Sequence, residues 1–165
     1  MRSTTLGRFW PLLMVILTSV AFLQACSKTG DGVQQASTAI EVWKTPTCGC
    51  CGAWVDHLKE NGFEVKVNDV DDTASFRAAL GMPQEYGSCH SARVQGYAIE
   101  GHVPAADIKK LLTDKPDAVG LSVPGMPMGS PGMEHPEFPS KRHEYDVLLV
   151  DKSGGVRSYT RYEAK

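Results

Sequence analysis

Apolar positions along the chain fall into short groups whose spacing changes from segment to segment. Ile40–Lys44 is a compact apolar run and predicts a strand. Over Cys51–Asn61, Trp54, Val55 and Leu58 recur at helical spacing, and Gly62 supplies a stop, so a helix is expected. Phe63-Glu64-Val65-Lys66-Val67 alternates as a strand does. Asp71-Asp72-Thr73 offers caps for a helix through Phe76, Ala79 and Leu80 that ends at Gly81 and Pro83. Ala92–Gln95 and Tyr97–Glu100 predict two short strands joined near Gly96. Pro104 suits the first position of a helix carrying Asp107, Ile108, Leu111 and Leu112. Tyr145–Val150 and Val156–Tyr162 then predict a hairpin around Lys152-Ser153-Gly154-Gly155.

The resulting order, β-α-β-α-β-β-α, is that of a minimal thioredoxin or glutaredoxin unit. An α/β fold is therefore expected, with a central mixed sheet flanked by helices. Its first two strands should be parallel and its last two antiparallel. Between that unit and the hairpin, Val119–Pro139 holds five prolines, four glycines and the methionines Met126, Met128 and Met133. Such a stretch predicts no regular element. The domain at 40–165 is thus read as a core at 40–118, a Met/Pro/Gly loop at 119–140 and a hairpin extension at 141–165. No internal repeat is visible.

The first 25 residues have a different pattern. Arg2 and Arg8 form a short basic region, and Phe9–Leu23 is apolar but short and broken by Pro11. This is the layout of an export signal rather than a membrane span. Ala25-Cys26 at its end resembles a bacterial lipoprotein signal, with Cys26 the acylated first residue of the mature chain. Gln24 is not favoured at its position in such signals, so ordinary signal cleavage is the alternative. Residues 26–39 are mostly small and polar and read as a tether. The expected location is the periplasm, with a lipid on Cys26 anchoring the chain to the outer membrane. Loss of residues 1–25 would take the formal net charge from −2 to −4. A weakly acidic chain without a basic stripe makes nucleic acid an improbable partner. A monomer is expected.

The candidate chemistry is concentrated in sulfur. Cys48-Gly49-Cys50-Cys51 places three thiols in four residues, between the first strand and the first helix. A strand, a C-x-x-C and a helix form the thioredoxin-like arrangement of reactive sulfur, and the helix N-terminus favours thiolate. Cys50 goes beyond a two-sulfur redox couple. In the predicted fold, the loop Gly87–Ser91 faces the C-x-x-C and brings Cys89 and His90 to it. Two structural disulfides are the plainer reading in an oxidising compartment. Three of the four cysteines lie too close together to favour it. Thiolate together with thioether selects Cu(I). Met126, Met128 and Met133 sit among glycines and prolines, where no apolar face is being built, although methionine also fills gaps.

Cys48, Cys50, Cys51, Cys89, His90, Met126, Met128 and Met133 are therefore the candidate metal ligands. His135 is a weaker candidate. His57 is read as a surface or structural residue, His102 as a cap or packing residue, and His143 as solvated. Four cysteines also suit zinc, but the Cys50-Cys51 adjacency is awkward for one closed tetrahedral shell and zinc does not call for methionine. Asp69, Asp71 and Asp72 lack the spacing of a calcium loop. No Ser-His-Asp array, phosphate loop or dinucleotide fingerprint is present.

Taken together, several segments resemble the CopG-type copper-resistance proteins of Gram-negative bacteria. They are Cys48-x-Cys50-Cys51, Ser88-Cys89-His90, Tyr97-x-Ile99-Glu100-Gly101-His102-Val103-Pro104, and the run from Gly120 through Met126-Pro127 to Met133-Glu134. The resemblance covers roughly residues 40–151. It implies a thioredoxin-like domain with a C-terminal extension that helps bind metal. It also implies a cysteine-bridged copper cluster and a role in copper redox handling beside periplasmic efflux. Lipidation at Cys26 is not part of what it implies. The expected function is copper(I) binding in periplasmic copper resistance, with more than one copper per chain and a possible Cu(I)/Cu(II) redox role. The alternative is a thiol–disulfide oxidoreductase acting on protein substrates, with Cys48 attacking and Cys51 resolving.

Overall fold

The structure, a computed structural model, describes residues 38–134, 137 and 141–165. The signal segment, Cys26 and His135 lie outside the described residues. Seven strands form one sheet: β1 (Thr38–Lys44), β2 (Phe63–Asp69), β3 (His90–Val94), β4 (Tyr97–Gly101), β5 (Gly120–Val123), β6 (Tyr145–Val150) and β7 (Val156–Tyr162). The helices are α1 (Gly49–Glu60), α2 (Ala74–Ala79) and α3 (Ala105–Asp114), and a single 3₁₀ turn spans Gln84–Tyr86. The sheet order is β2-β1-β3-β4-β5-β6-β7. β1 and β2 are parallel, and β3 and β4 antiparallel, as the sequence pattern requires. The fold is mixed α/β.

The alternation in the sequence becomes a buried layer. Ile40 and Val42 of β1, Ile99 of β4, and Trp54 and Leu58 of α1 are fully buried in one cluster with Ile108 and Leu111 of α3. Each such side chain contributes about 1.5–3 kcal/mol by leaving water. Asp72 acts as the cap its position suggests. Its carboxylate accepts hydrogen bonds from the Ala74 and Ser75 amides at 2.9 and 3.1 Å.

Two expectations are corrected. α1 starts at Gly49 rather than Cys51, so Cys48 is its N-cap and Cys50 and Cys51 lie in its first turn. Within the stretch read as irregular, Gly120–Val123 is a strand, with all four residues buried. It pairs with β4 in parallel and with β6 in antiparallel. Only four residues long, it leaves no periodic signal, and Gly120 counts as a breaker on composition. Here glycine has a packing reason: a Cβ at position 120 would fall on the Ala98 carbonyl oxygen of β4. The hairpin therefore continues the central sheet. Thr160 and Tyr162 of β7 donate hydrogen bonds to the Asp107 carboxylate of α3 at 2.5 and 2.8 Å, fastening hairpin to core.

Candidate metal centre

β1 and β3 run antiparallel side by side, with Lys44 opposite His90. The loop leaving β1 and the loop entering β3 therefore meet at one end of the sheet. The first carries Cys48, Cys50 and Cys51 at the N-terminus of α1; the second carries Cys89. The four sulfurs all lie within 4.8 Å of one another. Cys48 and Cys50 are 3.4 Å apart, sulfur to sulfur. The first turn of α1 contains no acidic side chain, so no carboxylate of that turn competes with a thiolate for the positive end of the helix dipole.

The oxidation state corrects a sequence expectation. Cys48 and Cys51 form a disulfide, while Cys50 and Cys89 are free. Four free thiolates thus describe the reduced chain, and the structure shows the state two electrons more oxidised. This is the pairing of the oxidoreductase alternative. Burial is the main influence on the Cys89 thiol and pushes its pKa up to about 11, against a lowering hydrogen bond from Ser88. A metal must therefore displace a proton there.

Behind Cys89 lies a pair of imidazoles. Cys89 Sγ is 3.3 Å from His90 Nδ1 and 3.2 Å from His102 Nε2. Both histidines are fully buried, with ring centroids 5.1 Å apart. Burial holds His90 neutral, its pKa lowered to about 3, and lowers that of His102 as well. His102 Nδ1 donates to the Pro131 carbonyl at 2.8 Å, which leaves Nε2 with its lone pair toward Cys89. Trp54 lies against His90, ring centroids 4.3 Å apart, and its indole N–H donates to Val103 O at 2.8 Å.

The sequence placed His90 near the cysteines but read His102 as a cap or packing residue. The histidine after Gly101 at the end of a strand neighbouring the Cys89-His90 strand was the available signal. His57 is structural: its Nε2 accepts from the Ala105 amide at 3.1 Å, at the start of α3.

A buried ionic network holds the Cys89 loop. Arg77 Nε donates to Glu100 Oε1 at 2.8 Å, and a second guanidinium nitrogen donates to Ser88 O at 2.7 Å. Glu100 also accepts from the Ser88 amide at 2.7 Å and the Ser91 hydroxyl at 2.6 Å. Burial raises the Glu100 pKa, and these donors lower it in turn. Ser88 Oγ then donates to Gly125 O at 2.6 Å, joining the Cys89 loop to the Met-rich loop.

The Met-rich loop lies against α1. Gly132 has φ +83°, and a Cβ there would approach Cys50 O and Trp54 N, each at 2.7 Å. Met126, Met128 and Met133 line one open cleft of about 490 Å³ with Cys50, Glu134 and His143. Met126 is 52 % exposed, which is unusual for a side chain serving only to fill a core. The three methionines are thus on the Cys50 side of the sulfur cluster, and His90 and His102 are on the Cys89 side. His143, read as solvated, borders the cleft.

Two solved structures resemble this chain closely. "Copper resistance protein copG- Form 2" shares 42% identity at a TM-score of 0.71, over 76% of this chain and 98% of its own. "Copper resistance protein copG- Form 1" gives the same identity and TM-score, over 77% and 98%. A family described as "Protein of unknown function, DUF411" matches residues 86–133, the segment from the Cys89 loop to Met133. No curated protein matches the chain.

Proposed function

The chain belongs to the family of the copper resistance protein CopG, and from that premise we propose that it is an exported protein that binds copper(I) through a reduced cysteine cluster. The carrying observation is the convergence of Cys48, Cys50, Cys51 and Cys89 within 4.8 Å, beside a cleft lined by three methionines. Thiolates this close bridge metals, so several copper ions share few sulfurs, and more than one copper per chain is expected. Thiolate and thioether are soft donors and favour Cu(I) over zinc. Met126, Met128 and Met133 face incoming metal from the cleft side. His90 completes the site from the buried side.

The role in copper resistance follows the names of the relatives and the donor set. Delivery to a periplasmic efflux system, storage, and Cu(I)/Cu(II) interconversion are all compatible with such a cluster. The Arg2/Arg8 region, the apolar stretch and Ala25-Cys26 support export and a lipid on Cys26. Mass spectrometry of the membrane fraction should find an acylated chain starting at Cys26; an unmodified chain starting elsewhere, free in the periplasm, contradicts this.

The Cys48–Cys51 disulfide favours a second reading, thiol–disulfide exchange on protein substrates. One paired experiment separates the two. The reduced chain is loaded with zinc, challenged with copper(I) and analysed for metal, and is assayed in parallel for disulfide reduction. Copper replacing zinc with weak reductase activity supports the copper reading. A one-to-one zinc complex that copper does not displace, or efficient reductase turnover with no copper retained, reverses it.

A further inference from the structure

The Cys48–Cys51 disulfide removes two of the four thiols from metal chemistry, yet it leaves one donor group untouched. Cys89 Sγ, His90 and His102 offer three ligand atoms within 4.8 Å of one another. We infer that Cys89, His90 and His102 form a mononuclear copper(I) site that persists in the disulfide-bonded chain, beside the multi-copper cluster of the reduced one. This rests on the copper reading above and extends it to the oxidised state.

The geometry suits a single ion. Metal bonds of about 2.3 Å to sulfur and about 2.0 Å to imidazole nitrogen put the two donors roughly 3.5–3.7 Å apart at tetrahedral to trigonal bond angles. The separations of 3.3 Å to His90 Nδ1 and 3.2 Å to His102 Nε2 are a few tenths of an ångström shorter, so the donors need only open slightly to take an ion between them.

The ring orientation is also fixed in advance. The Pro131 carbonyl accepts from His102 Nδ1 at 2.8 Å, so Nε2 carries the lone pair. A carbonyl behind a histidine in this way is the usual support of a metal ligand. Trp54 packs against the His90 ring and limits its rotation. His90 Nδ1 is the nitrogen that faces Cys89 Sγ, so a metal bound there leaves the ring proton on Nε2.

The donor set differs from the cysteine cluster in chemistry. One thiolate and two imidazoles bind copper(I) without bridging sulfur, so the site takes one ion. Binding exchanges the Cys89 S–H bond for S–Cu and releases that proton to solvent; no electron is transferred. The consequence is graded capacity. When an external disulfide takes two electrons from the Cys48 and Cys51 thiolates and leaves as two thiols, the bridged copper should be released while one ion stays on the sheet side.

The test uses the mature chain carrying Cys50→Ser, oxidised so that the Cys48–Cys51 disulfide is intact and Cys89 is the only thiol of the cluster region. Copper(I) is added anaerobically against a competing chelator, and retained metal and copper-edge X-ray absorption are measured. The expected result is one copper per chain with one sulfur and two nitrogen neighbours. Cys89→Ser or His102→Gln in the same background should weaken retention beyond the roughly 10–100-fold typical of losing a supporting partner. Circular dichroism establishes that each variant is folded, and the X-ray absorption result stands on the unaltered histidines if one is not. No copper retained by the oxidised chain, or a shell without nitrogen, overturns the inference. If the reduced wild-type chain also binds no copper, the proposed function fails instead; copper bound only by the reduced chain rejects this site alone.

Discussion

Cys89 stands between two kinds of donor, three cysteine sulfurs on one side and two imidazoles on the other. Serine at that position keeps the size and discards the soft donor. Cys89→Ser should therefore lower copper(I) retention in either oxidation state and leave the folded circular dichroism spectrum unchanged. Unchanged retention would place Cys89 outside the site. The neighbouring Arg77–Glu100 pair has a structural task, since it holds both the amide and the carbonyl of Ser88. Both side chains are buried, so Arg77→Met leaves an uncompensated carboxylate. Breaking such a pair costs about 3–5 kcal/mol, measurable by denaturant titration. Adding Glu100→Gln should restore part of the loss; no restoration would mean that the guanidinium acts through Ser88 or through Gln84, to whose Oε1 it donates at 2.7 Å, and not through the charge. At this scale the sequence pointed to the neighbourhood of the four cysteines and His90, because Cys48, Cys50 and Cys51 share one turn and His90 follows Cys89. The place of His102 beside Cys89 was not legible, since it arises only when β3 and β4 pair.

Among the elements, α1 and the Met-rich loop form the cleft together. Replacing Met126, Met128 and Met133 together by Leu nearly preserves volume while removing three thioethers. Thermal stability should change little and copper retention should fall. A collapse in stability with copper binding intact would show that the methionines are packing. Gly132 sets how closely the loop approaches α1. Gly132→Ala meets both an unfavourable φ and a close contact with the α1 backbone. It should destabilise the chain by about 1–3 kcal/mol and weaken copper retention, because the loop must lift off Cys50. Unaltered stability and retention would show that the loop is not fixed at this point. The strands, α1 and the hairpin were readable from period and turn residues. β5 was not: its four residues are surrounded by prolines and glycines, and their burial depends on strands on either side.

For the molecule as a whole, β5 turns an apparent core plus extension into a single seven-stranded sheet. Val147 and Leu149 of β6 belong to the same buried cluster as β1, α1 and α3. A chain ending at Val119 would lose β5–β7 and expose the β4 edge, so it should be unfolded or aggregated by circular dichroism and size-exclusion chromatography. A soluble, cooperatively melting fragment would restore the picture of an independent core. The same continuity places the Met-rich loop over the sulfur cluster, because the chain leaves β5 at that end of the sheet and must return to begin β6. Sequence resemblance to copper-resistance proteins pointed to that outcome before the strand itself was visible.

The central claim is that the reduced cysteine cluster holds several copper(I) ions. Its most direct test is an anaerobic copper(I) titration of the fully reduced mature chain, followed by desalting and metal analysis. The account predicts more than one tightly held copper per chain, falling to one or fewer when Cys48, Cys50 and Cys51 are all replaced by Ser. No retained copper, or an undiminished number in the triple variant, would contradict it.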